Sequence, residues 1–164
     1  MSGARDLVRL LAAPGEAATL DPRGWQAVLT VAAAERLGGT LGHRLAGVEV
    51  PVAVARILIG HRIEAEAQQR AALWEADRAA HALTGVVERI VLLKGTAYAA
   101  AGLDAAAGRM IGDLDILIRP EECDAAELAL KRAGWEPIKT DPYDDAYYRR
   151  WMHELPTLIH GERD

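Results

Sequence analysis

The chain has 164 residues, a formal net charge of −5, 51% hydrophobic and 26% charged residues. That balance suits a globular protein long enough to bury a core and excludes bulk disorder, while the acidic surplus argues against non-specific nucleic-acid coating, which needs a basic surface. Cys123 is the only cysteine, so an intrachain disulfide and a multi-cysteine metal site are both excluded, which fits a reducing cytoplasm.

Residues 1–20 carry Arg5, Asp6, Arg9 and Pro14 and lack an uninterrupted apolar stretch, so they do not read as a signal peptide. No apolar run approaches membrane-spanning length. A cytoplasmic protein with no membrane partner is expected. Residues 4–12 suit a short amphipathic helix with Leu7, Leu10 and Leu11 on one side. Asp21-Pro22 is a helix start, an acid at the N-cap followed by proline at the first position, and the helix should run to about Leu37, where Gly38-Gly39 ends it. Thr40 can open another short helix. From Pro51 to about Leu83 the pattern is helical, with Val54, Ile57, Leu58, Ile63, Leu73 and Trp74 as apolar anchors and a bend allowed at Gly60. A helix of that length should span the molecule and pack on the N-terminal helices and on a sheet. Trp25 and Trp74 read as core rather than as ligand platforms.

Ile90 to Leu93 form a short apolar run bounded by Lys94-Gly95, and Thr96 begins an Ala-rich stretch, giving the order strand, glycine turn, helix. Such a turn offers backbone amides and a helix dipole to an anion, and Gly95 lets a phosphate approach the main chain. Thr96 can cap the helix, the stronger reading, or touch substrate. The sequence has only three lysines, Lys94, Lys131 and Lys139, so a lysine at a strand end carries information; its ammonium suits a phosphate or a carboxylate, with a plain surface charge as the competing reading.

The segment Arg109-Met-Ile-Gly-Asp113-Leu-Asp115-Ile-Leu-Ile reads as a strand entered by two acids. In an extended strand, residues i and i+2 share a face and are separated by roughly 6 to 7 Å. Asp113 and Asp115 would then point the same way, with Leu114, Ile116 and Ile118 on the other face. Paired carboxylates repel and resist desolvation, so a fold that keeps them adjacent usually offers a cation or raises one pKa. Magnesium suits them because it takes one or two carboxylates with phosphates and waters. Arg109 would neutralise triphosphate charge or pair with the acids.

Pro120 with Glu121, Glu122 and Asp124 opens a further helix, Gly134 caps its end, and Trp135 to Ile138 reads as a third strand. Residues 141–150, with Tyr143, Tyr147, Tyr148 and Arg149-Arg150, read as a surface helix or loop whose tyrosines pack on the sheet, ahead of a substrate-facing flap. His153-Glu154-Leu155-Pro156-Thr157 begins like a zinc-protease helix but has Thr157 where the second ligand is required. His153 and His160 carry little weight as substrate neighbours.

Leu92-Leu93-Lys94-Gly95, a short helix with Tyr98, and Arg109-x-x-x-Asp113-x-Asp115-Ile-Leu-Ile together resemble the uncharacterised nucleotidyltransferase family of the polymerase-beta-like nucleotidyltransferase superfamily. The likeness covers most of the chain: a long helix into an apolar strand, Arg119-Pro120-Glu121-Glu122 after the acids, a helix ending at Ala133-Gly134-Trp135, and a late His153-Glu154-Leu155-Pro156 segment. It implies an α/β (α+β) fold, with an N-terminal helical region at 1–84 whose long helix packs on a small mixed sheet, and a nucleotidyltransferase-like core at 85–164. It implies a metal-dependent enzyme moving a nucleoside monophosphate from an NTP to an acceptor hydroxyl. Asp113 and Asp115 would be the catalytic, metal-binding acids, with Mg2+ the expected ion and Mn2+ its substitute. Lys94, Gly95, Thr96 and Arg109 would bind substrate. The acceptor is a small molecule, peptide or protein, and an oligomer is compatible with the sequence. The superfamily usually carries a third carboxylate on a later strand, which Glu162 and Asp164 in a polar tail replace poorly. The core is therefore expected to be C-terminally incomplete, completed by another chain, or a catalytically inactive module of the same fold that binds a partner protein or nucleotide.

Overall fold

The computed structural model describes residues 3–138, 141–152 and 155–161. His153, Glu154, Glu162 and Asp164 lie outside them. The arrangement is α+β, and the chain divides into two compact units, Met1–Trp74 with Leu93–Asp115, and Glu75–Leu92 with Ile116–Asp164.

The first unit begins with α1 (Gly3–Ala12), a 3-10 turn (Pro14–Thr19) and α2 (Pro22–Ala34). Asp21 caps α2 as expected, its Oδ1 accepting from the Gly24 N–H at 2.7 Å. Leu7, Leu10, Trp25, Val28 and Ala32 are buried together with Leu41, Leu45, Val54 and Leu58. Trp25 is thus core. The helix ends three residues earlier than expected, through Arg36 in a left-handed conformation (φ 56). Gly38-Gly39 does not terminate it; the pair opens α3 (Gly38–Arg44).

Close approach explains those glycines. A Cβ on Gly38 would stand 2.6 Å from His61 Cγ, one on Gly39 2.8 Å from Ala65 Cβ, and one on Gly42 2.7 Å from the Leu58 carbonyl oxygen. These partners lie on α4 (Val52–Leu83, 32 residues). Small residues on one helix let another come nearer than a normal side-chain layer permits. The buried positions of α4 are Val54, Leu58, Ala65, Ala76, Ala79 and Leu83. Ile57, Ile63, Leu73 and Trp74, expected as anchors, are exposed, Trp74 at 51%. Against Gly39 the small residue Ala65 is the one turned inward, while the neighbouring Ile63 stays outside.

Gly39 also meets Gly108, which has φ 68. A Cβ on Gly108 would lie 2.2 Å from the Gly39 carbonyl oxygen. Thr40 Oγ1 donates to the Gly108 carbonyl at 3.4 Å, and Gln69 Nε2 donates to the carbonyls of Ala106 (2.5 Å) and Arg109 (2.9 Å). Helix side chains thereby fix the loop that leads to the acids. Gly108→Ala combines left-handed strain with a backbone clash and should cost roughly 2–4 kcal/mol in denaturant unfolding.

In the second unit, β1 (Val91–Leu92) pairs antiparallel with β2 (Ile116–Leu117), and β3 (Trp135–Pro137) pairs antiparallel with β4 (Leu158–His160). Among the described residues the strands form two two-stranded sheets, in place of the single small mixed sheet expected. Strands two or three residues long offer too few backbone groups to extend either ladder sideways. A 3-10 turn (Pro120–Glu122) precedes α6 (Cys123–Arg132), which Gly134 follows with φ 100. β4 was not foreseen; Leu158-Ile159-His160 after Pro156 holds the only hint of it, too short to separate from loop. α7 (Pro142–Tyr147) runs into a π turn (Tyr148–Met152). It is a surface helix as read, but Tyr143 and Tyr147 are exposed rather than packed on a sheet.

Glu127 on α6 is buried and bridges Lys131 at 2.7 Å and Arg149 at 2.8 Å. Burial alone would raise its pKa, but the hydrogen bonds from Lys131 and Arg149 prevail and hold the carboxyl below the usual glutamate value. A depressed folded pKa gives stability that is complete above the unfolded value near ~4.3 and is lost as pH falls through the folded one. Denaturant unfolding from about pH 7 down to about pH 3 should show this acid-side loss, and Glu127→Gln should flatten it while lowering neutral-pH stability by roughly 1–3 kcal/mol.

Candidate functional site

The site grows from the place where β1 turns into a helix. Leu93 is extended (φ −119, ψ 168) and takes the N-cap of α5 (Lys94–Ala100). Lys94 has φ 49, a left-handed conformation that a side chain with Cβ resists, and such strain concentrates at functional positions. The Leu93 N–H donates to the Asp115 carbonyl at 3.0 Å. Lys94 Nζ donates to Asp115 Oδ1 at 2.8 Å. Asp115 is therefore held through both its main chain and its side chain.

The acids do not lie in a strand as expected, since β2 begins only at Ile116. The turn at Lys94 explains it: once the chain leaves the extended region, no partner remains for the residues before Asp115. The shared-face geometry of a strand thus does not govern Asp113. Both acids stay reachable. Asp113 is exposed and has no hydrogen-bond or ion-pair partner among the described residues, and the Asp115 side chain is 28% exposed.

Thr96 is not the cap, because Leu93 occupies that position. It is 1% exposed, and its Oγ1 has no hydrogen-bond partner among the described residues. Gly95 is buried; a Cβ there would lie 3.1 Å from Ile111 Cγ1 and 3.3 Å from Arg109 Nε. The Arg109 guanidinium sits 5.7 Å from the centre of the Tyr98 ring, a cation–π distance. Lys94, Gly95, Arg109 and Asp115 thus come together around one turn.

Arg36 is the residue that sequence reading missed. Its Nη2 would be 3.3 Å from a Cβ on Gly112, so a second guanidinium lies against the residue before Asp113. Arg36 is far away in sequence and belongs to no motif, so only the packing of α2 and α3 reveals it. No group of three or more His, Cys, Asp or Glu suited to a metal occurs among the described residues, and none of their helices is long and apolar enough to cross a membrane.

Thr96→Val removes a buried hydroxyl that has no partner among the described residues while keeping shape, so the melting temperature should hold or rise, with a gain of up to about 1 kcal/mol. Loss of nucleotide binding in that stable variant, read by calorimetry, would assign the hydroxyl to the ligand.

In comparisons with known proteins, a family model described as uncharacterised nucleotidyltransferase matches residues 21–162. No curated protein and no solved structure matches.

Proposed function

The chain belongs to the uncharacterised nucleotidyltransferase family, and on that premise we propose that it transfers a nucleoside monophosphate from an NTP to an acceptor hydroxyl at the Lys94–Asp115 turn, with a divalent cation as cofactor. Asp113 and Asp115 are the metal ligands in this reading. Lys94, Gly95, Thr96 and Arg109 bind the nucleotide, and Arg36 adds positive charge behind the acids. The observation that carries the proposal is the 2.8 Å contact of Lys94 with Asp115 at a left-handed lysine, which gathers an ammonium and a carboxylate next to the buried Gly95.

Two oxygen-donating carboxylates, both open to solvent, leave coordination positions for phosphate oxygens and water, and this donor set suits Mg2+, with Mn2+ as its substitute. When bound, such an ion supplies Lewis-acid polarisation of the phosphoryl oxygens. The rest falls to the chain. Lys94, 66% exposed along its side chain, has the reach to leave Asp115 for a phosphate oxygen, because an exposed ion pair is worth only about 0–1 kcal/mol. Gly95 admits the phosphate to the main chain, and the Arg109 guanidinium, steadied over Tyr98, offers paired donors to two phosphate oxygens. The acceptor hydroxyl gives up its proton to solvent as its oxygen bonds to the α-phosphorus, the bond from that phosphorus to the bridging oxygen breaks, and pyrophosphate leaves. Positioning and charge neutralisation supply the catalysis in reactions of this class. The acceptor is a small molecule, peptide or protein, and the compartment is the cytoplasm.

A second reading is a catalytically inactive module of the same fold that binds a partner protein or nucleotide. The Lys94–Asp115 ion pair favours it, since one acid is already neutralised by the chain. The two readings part on one variant. Asp113→Asn should abolish metal-dependent NTP binding in calorimetry and lower transfer to candidate acceptors by roughly a thousandfold. Unchanged magnesium-nucleotide binding would refute the metal role, and metal-independent nucleotide binding without turnover would select the module.

A further inference from the structure

We propose that the second unit carries a ligand site of its own, for a small organic anion with a carboxylate or phosphate group on an apolar body. The site is a cavity of about 670 Å³, within the roughly 300–1,000 Å³ that ligand pockets occupy. Val91 and Leu117, cross-strand partners on β1 and β2, line it together with Ile118 and Leu155. Val91 and Leu117 are both exposed, and open hydrocarbon inside a concave site is surface that a ligand's apolar body covers.

The charged lining is three arginines, Arg89, Arg119 and Arg149, against one acid, Asp124. Glu88 engages Arg119, while Glu127 and Asp124 engage Arg149 at 2.8 and 3.7 Å. Arg89 has no ion-pair partner among the described residues. A guanidinium presents a planar fork of donors matched to carboxylate or phosphate oxygens. Set beside an apolar wall, it selects a ligand that satisfies both, against a neutral hydrocarbon and against a bare inorganic ion. Arg89 and Val91 lie two residues apart, but Leu117, Cys123, Arg149 and Leu155 come from separate later segments, so no contiguous motif announced the site.

Cys123, the chain's only cysteine, also lines the cavity and reports its occupancy. Burial first, then the Asp124 carboxylate, raise its thiol pKa, so alkylation by iodoacetamide is followed at mildly alkaline pH. The full chain is used, without nucleotide or metal, so the result stands apart from the transfer reaction. The probes are phenylbutyrate and phenyl phosphate, with neutral phenylbutanol and acetate as controls. At least one aromatic anion should slow Cys123 alkylation saturably, with each control requiring about tenfold or more concentration for the same protection. Arg89→Ala should raise the half-protecting concentration of that anion by about tenfold, a change expected for one lost charge-assisted contact, and Arg89→Lys should recover part of it. Equal protection by phenylbutanol, protection by neither anion, or an unchanged half-protecting concentration in a folded Arg89→Ala would each overturn the proposal. The wild-type ligand series decides the matter even if a variant fails to fold.

Discussion

Asp115 is gripped twice, by the Leu93 N–H on its carbonyl and by the Lys94 ammonium on its carboxylate, and the candidate site follows from that double hold. The main-chain bond fixes where the acidic segment meets the end of β1. The side-chain bond then sets a positive charge and a negative charge at one point of the surface. The ion pair adds little stability by itself, because both partners meet solvent. Its effect is positional: Lys94, in the left-handed region, places its ammonium on the Asp115 carboxylate.

The loop carrying Arg109 and Asp113 needs a second anchor, and backbone contacts supply it. Gly108 passes against Gly39, and Gln69 closes the loop from α4 by donating to two carbonyls. Neither glycine tolerates a Cβ, so the approach is fixed by the absence of a side chain rather than by an attraction. The same logic runs along α3, where Gly38, Gly39 and Gly42 admit His61, Ala65 and Leu58. A packed α2–α3–α4 core therefore does more than stabilise the first unit: it delivers Arg36 to Gly112 and holds the loop before Asp113.

The second unit is organised on a different principle. Its ladders are short, and a buried carboxylate, Glu127, ties α6 to Arg149 through charge-assisted bonds. The edge-to-face contact of Trp135 and His160, at 5.0 Å, joins β3 to β4. Few apolar side chains are buried there, and open hydrocarbon at Val91 and Leu117 is left lining a cavity. The arginine-lined cavity of this unit is built from residues other than Asp113 and Asp115, and a fold carries such separate surfaces without fixing what they bind.

Local chemistry made part of this legible in the residues alone. Asp21-Pro22 announced α2 because capping depends on residues adjacent in the chain, and Leu7, Leu10 and Trp25 sat inward because a helical period needs only spacing. Lys94-Gly95 marked the passage from strand to helix because turn signals are short-range. The tertiary structure decided the rest. Whether Gly38-Gly39 ends a helix or admits another depends on what lies opposite, and Ile63 faces outward while the smaller Ala65 packs against Gly39. The acids leave the strand because their partner turns away at Lys94, Thr96 is buried instead of capping, and Arg36 and Arg89 gain meaning only from residues distant in sequence. Spacing along the chain determines which side chains can share a face; only the closing of distant backbone contacts determines which faces meet.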